Sequence, residues 1–157
     1  MKNYTSTVDA NTTIYRIEQI LVRFGASNIS KDYTAGEVTG ISFSINAGAD
    51  MPMLIRLPAN VEAVAEYFFK SSKKPVNKDK VPAWKERIAE QAKRTAWKLV
   101  QDWIEVQLSL VEMKQAEAAQ VFLPYAWDGK VTLFQMLKEK RFPALGYKPR
   151  DVEATAP

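Results

Sequence analysis

The stretch Ser27-Asn28-Ile29-Ser30-Lys31-Asp32-Tyr33-Thr34-Ala35-Gly36-Glu37-Val38-Thr39-Gly40-Ile41-Ser42-Phe43-Ser44-Ile45, continued through Asn46–Asp50 to Met51-Pro52-Met53-Leu54-Ile55-Arg56-Leu57, decides the fold. It reads as three β-favouring segments, Ser27–Tyr33, Glu37–Ile45 and Met51–Leu57. In the second, Val38, Ile41, Phe43 and Ile45 approximate an alternating pattern, with Gly40 marking a bend or bulge. Thr34-Ala35-Gly36 and Asn46-Ala47-Gly48-Ala49-Asp50 carry turn chemistry. Connections this short cannot accommodate a crossover, so the three strands form an antiparallel meander.

Helical periodicity flanks the meander on both sides. Val8, Ile14, Ile17, Leu21 and Phe24 recur on one face with Ile20 beside them, predicting a helix over roughly 12–24. Asn11, Thr12 or Thr13 can cap its start, and Gly25 supplies its stop. Beyond Pro58, Asn60 caps a short helix that turns Val61, Val64, Ala65 and Phe68 inward. Ser71–Val81, rich in Lys, Ser and Pro, reads as a linker, and Pro82 opens a long helix from about 83 to 112. Past Ala96 that helix shows only a narrow polar stripe (Lys98, Gln101, Asp102, Glu105, Ser109 and Glu112) beside Val106, Leu108, Leu110 and other apolar residues, as expected of the central element of a core or half of an interface. Trp84, Trp97 and Trp103 are assigned to that core. After Pro124 and a turn at Tyr125–Gly129, Val131, Leu133, Phe134, Met136 and Leu137 predict a last helix with a basic end. The fold expected is therefore α+β: an N-terminal helix, a three-stranded meander, then a short, a long central and a C-terminal helix packed on the sheet. It forms one domain over 1–146, followed by a tail, 147–157, with little to bury.

Composition removes whole classes of chemistry. The 157 residues include no cysteine and no histidine. Disulfides, thiolate metal sites, and Ser/His or Cys/His nucleophile pairs are therefore excluded. Phosphate-cradling and nucleophile-elbow glycine motifs are absent as well. The one carboxylate set with helical spacing, Asp102, Glu105 and Glu112, could hold a divalent ion, but Lys98 on the same stripe favours an ordinary solvated face. No catalytic residue, metal or cofactor is assigned, and no apolar run marks a signal peptide or a membrane span.

Charge is the most informative remaining feature. The net charge of +4 is placed unevenly. Between Lys70 and Lys98 stand ten Lys/Arg against Asp79, Glu86 and Glu90 alone, so the rest of the chain is mildly acidic. Such a block attracts polyanions, with a solvated linker and helix face as the plain alternative. Lys73, Lys74, Lys78, Lys80, Lys85, Arg87, Lys93 and Arg94 are the candidate nucleic-acid-binding residues, and Trp84 is a candidate stacking platform among them.

Two resemblances bear on function. The helix–three-strand–helix order is similar to that of the double-stranded RNA-binding domain, whose second helix opens on a basic patch that Lys93-Arg94-Thr95-Ala96-Trp97-Lys98 echoes. Here an extra helix and the lysine-rich linker intervene, the basic residues lie well inside the helix, and that domain's histidine-containing loop is missing. More of the chain resembles a family of small uncharacterised proteins encoded by bacteriophages and prophages. The matching blocks are Ile17–Ala26, Gly40-Ile41-Ser42-Phe43 and Ile55-Arg56-Leu57-Pro58, then Arg94–Val100, Val111-Glu112, Phe122-Leu123-Pro124 and Phe142-Pro143-Ala144-Leu145. That resemblance implies a phage accessory protein in the bacterial cytoplasm and transfers no activity. The expected function is binding of DNA or RNA through the basic segment. The alternative is an interaction or inhibitor module acting on a host or phage protein such as a defence factor. The apolar stretch of the long helix adds the expectation of a homodimer.

Overall fold

Asp9 begins the first helix: its carboxylate accepts the backbone N–H of Asn11 at 2.9 Å, two positions ahead of the first cap expected. In the computed structural model, which describes residues 6–48 and 50–140, α1 spans Ala10–Phe24. Gly25 ends it in the left-handed region at φ 94°, where a side chain would be strained, and Ala26 N–H closes the turn on the Leu21 carbonyl.

Three strands follow, β1 (Ser27–Thr34), β2 (Glu37–Asn46) and β3 (Pro52–Pro58), in the order β1-β2-β3, antiparallel throughout. Ala35 and Gly36, both at positive φ, form the two-residue hairpin turn between the first two. The irregularity anticipated at Gly40 is a bulge at Thr39, where Asp32 pairs with Gly40 but Tyr33 pairs with Val38. Gly40 also sits in a tight place: a Cβ there would stand 3.0 Å from Asp32 Oδ2 and 3.3 Å from the Leu57 carbonyl, so either neighbour would have to give way. Ile41, Phe43, Ile45, Ile55 and Leu57 bury one sheet face. On the opposite face Arg56 Nε donates to Asp32 Oδ2 at 2.8 Å and its guanidinium lies over the Trp127 ring.

The helices continue as expected in order: α2 (Val61–Ser71), capped by Asn60, and α3 (Val81–Glu112), then short α4 (Ala118–Phe122) and α5 (Leu133–Glu139). Two features were not expected. The linker is partly structured, because Lys78–Lys80 forms a 3₁₀ turn that runs straight into α3. Residues 118–125 are also helical, as α4 and a second 3₁₀ turn. The last helix is shorter than expected, capped by Thr132 and set against the Leu123–Tyr125 turn. The expected tail and Phe142–Leu145 lie outside the described residues.

The apolar side chains form two clusters. The main one joins α1 and the inner sheet face to Ala96, Trp97, Ile104 and Leu108 of α3, with Phe122 added from α4. A satellite joins Phe68 of α2 to Trp84, Ile88 and Ala92. Ile88 and Trp97 are about two and a half turns apart, so the two clusters lie on nearly opposite sides of α3. The buried stripe crosses the helix between Ala92 and Trp97, where Thr95 and Ala96 are buried as well.

That crossing corrects three expectations. Gln101, assigned to the polar stripe, is buried because it lies on the side facing α1 and the sheet. Val106 and Leu110, part of the apolar surface read as core or interface, are exposed. Trp103 is half-buried against the edge of the main cluster, its ring meeting those of Phe122 and Tyr125 at 5.8 and 5.1 Å between centroids. Trp97 fills the centre instead, at 1% exposure.

Candidate nucleic-acid interface

The basic segment is shaped by local capping. Ser72 ends α2, and Asn77 Oδ1 accepts Asp79 N–H at 2.9 Å while Lys80 N–H returns to the Asn77 carbonyl at 3.1 Å. The Asn77 turn thus launches α3, with Pro82 in its first turn where no intrahelical N–H is needed. The lysines of the segment thus follow the chain from the end of α2 over the 3₁₀ turn onto α3.

Six of the eight candidate residues are exposed along this segment, although Lys85 and Arg87, two residues apart on α3, point to nearly opposite sides of the helix. Lys73, Lys74, Lys78, Lys80, Lys85 and Arg87 are all exposed, and none has an ion-pair partner among the described residues. The path is rooted by the satellite cluster, in which Phe69 meets Trp84 edge to face at 5.3 Å.

The other two candidates are held by the protein itself. Lys93 Nζ donates to Glu37 Oε1 of β2 at 2.8 Å and to Glu90 Oε1 at 3.1 Å. The Glu37 hydrogen bond, then that of Glu90, raises the Lys93 pKa above the ordinary lysine value. Arg94 is half-buried and donates from Nη2 to Gln91 Oε1 at 3.2 Å, while Gln91 Nε2 reaches the Ser6 carbonyl at 3.1 Å. Arg87 and Arg94 share a helix side, but only Arg87 is presented to solvent. Lys98, the last cation of the block, pairs with Asp102 at 2.9 Å.

Trp84 is not a stacking platform: it is buried under Phe69 and Phe68. The carboxylate stripe does not gather either. Asp102 is engaged by Lys98, Glu105 accepts from Gln101 Nε2 at 2.7 Å, and among the described residues no three acidic side chains converge as a metal site. No helix among the described residues is long and apolar enough to cross a membrane.

One surface was read from sequence only as an apolar excess on the long helix, without its position. Val106, Leu110 and Met113 stand about five full turns beyond Ile88, Ala92 and Thr95, and so on the same side of α3. There α2 no longer reaches, and they line an open groove. Only the lengths and docking of α2 and α4 determine which part of an apolar stripe is covered, and periodicity carries no trace of that.

Set against protein-family models, curated proteins and solved structures, the chain matches none of them.

Proposed function

We propose that this protein binds nucleic acid through the cationic path Lys73, Lys74, Lys78, Lys80, Lys85 and Arg87, as an accessory protein of a phage or prophage acting in the cytoplasm of the bacterial host. The observation that carries the reading is the placement of those six cations. They are exposed, close together in sequence and free of carboxylate partners among the described residues, whereas Lys93, Arg94 and Lys98 nearby are engaged. Unpaired cations along one path neutralise successive phosphates and release counterions, and the resulting affinity is largely sequence-independent. The phage setting rests on the sequence blocks that resemble phage-encoded proteins.

Fluorescence anisotropy with labelled single- and double-stranded DNA and RNA, titrated over a salt series, tests the reading. Binding is expected with dissociation constants of about micromolar or weaker at physiological salt, tightening steeply as salt falls. Absence of binding to all four at low salt would refute it. A second reading, a module that docks on a host or phage protein, is favoured by one separate observation, the open apolar groove on the far half of α3.

A further inference from the structure

With Trp84 buried, the basic segment has no aromatic ring on which a base could stack, but two exposed tyrosines stand nearby. Tyr15 of α1 is 60% and Tyr33 of β1 62% exposed. Both border one cleft of about 380 Å³ between α1 and the β1–β2 hairpin. Neither ring meets another ring among the described residues, so each still has a face to offer.

The charges of the cleft decide what can lie between them. Lys31 Nζ is 3.0 Å from Glu18 Oε1, and Glu37 Oε1 is 2.8 Å from Lys93 Nζ, so each ion lining the cleft is already matched by one of opposite sign. An ionic ligand would have to displace one of these partners, whereas a neutral one leaves both pairs intact. What remains unused is two phenol rings, their hydroxyls and the Asn11 side-chain amide, none of which has a hydrogen-bond partner among the described residues. That set suits a flat, uncharged ring edged with hydrogen-bonding groups, which is the chemistry of a nucleobase.

The cleft also lies within reach of the basic segment. Glu37 on its rim holds Lys93 of α3. Lys85 precedes Lys93 by just over two turns, about 12 Å, and stands only about 80° round the helix from it. A few nucleotides cover that distance, so a strand whose phosphates follow the basic segment can bring a base to the tyrosines. In a duplex the bases are paired and stacked on one another, and only the phosphate contacts are available.

We infer that the cleft between Tyr15 and Tyr33 is a stacking site for an unpaired base of single-stranded nucleic acid. This rests on the nucleic-acid reading and adds to it a preference for single strands.

The test titrates the full chain with a short fluorescent oligothymidine and with a strand of the same length whose sugars carry no bases. The parent is expected to bind the oligothymidine about tenfold or more tightly than the abasic strand. Tyr15→Ala with Tyr33→Ala, its circular dichroism unchanged, should lose that margin and bind both strands as the parent binds the abasic one. Tyr15→Phe with Tyr33→Phe should keep most of the margin, because the ring rather than the hydroxyl stacks. A double alanine variant that still prefers the oligothymidine as the parent does would overturn the inference and leave the phosphate contacts standing. So would one that loses the abasic strand to the same degree as the oligothymidine. A parent that binds neither strand would sink the nucleic-acid reading itself, and this inference with it.

Discussion

The two halves of α3 bury opposite sides of one helix, and each presents a different surface as a result. Residues 81–95 rest on α2 through Trp84, Ile88 and Ala92, a small cluster that leaves Lys85 and Arg87 in solvent. Residues 96–112 rest on α1 and the sheet through Trp97, Ile104 and Leu108, leaving Val106 and Leu110 open. A single element can therefore carry a cationic face and an apolar face without either compromising the core, because the crossing at Ala92–Trp97 is buried almost all round.

The largest effect that separates the halves is in the core. Trp97→Ala should cost about 3–5 kcal/mol, as deletion of a fully buried aromatic in the main cluster. A urea midpoint close to the parent's would place the centre of the core elsewhere. Ile88→Ala should cost less, about 2–3 kcal/mol, because the satellite cluster is small. The loss should also be local: amide exchange should quicken in α2 and residues 81–92 while the strands stay protected. Uniform quickening of the sheet would show that the two clusters open as one. Trp103→Ala should cost less than Trp97→Ala, about 1–2 kcal/mol, since its ring is only half-buried and meets Phe122 and Tyr125 at the edge of the cluster. A loss as large as that of Trp97 would restore it to the centre.

These ranks also show what the sequence could and could not convey. The meander was legible because strand alternation and two-residue turn chemistry are local, and Ala35-Gly36 at positive φ fixes the hairpin by itself. The order of the helices was legible from capping and proline positions. The roles of Gln101, Trp103, Val106 and Leu110 were not, because a helix apolar around most of its circumference does not say which side its neighbours will take. The candidate site divided for a similar reason. Lys93 and Arg94 look like their neighbours in sequence, but Glu37 and Gln91, supplied by β2 and by the preceding turn of α3, engage them.

The smallest effect concerns that engagement. Glu37→Gln should cost under about 1 kcal/mol, since Glu37 is mostly exposed and Glu90 remains as a second partner for Lys93. Because the Lys93 pKa is raised in the folded state, its contribution is present below the ordinary lysine value and lost as pH rises through the folded one. The difference between parent and variant in urea melts should therefore shrink under strongly alkaline conditions. A gap that persists unchanged there would mean the ion pair is not its cause.

The most direct measurement is the salt dependence of nucleic-acid binding by the parent and by the variant carrying Lys78→Gln, Lys80→Gln, Lys85→Gln and Arg87→Gln, with Lys138→Gln and Lys140→Gln as a charge control. If the exposed path neutralises the phosphates, the slope of log affinity against log salt on duplex DNA should flatten in the first variant, by about 0.9 for each phosphate left without its cation. The control should keep the parental slope. Equal slopes in all three proteins, or equal flattening in both variants, would contradict the assignment and leave the basic half of α3 as a solvated face.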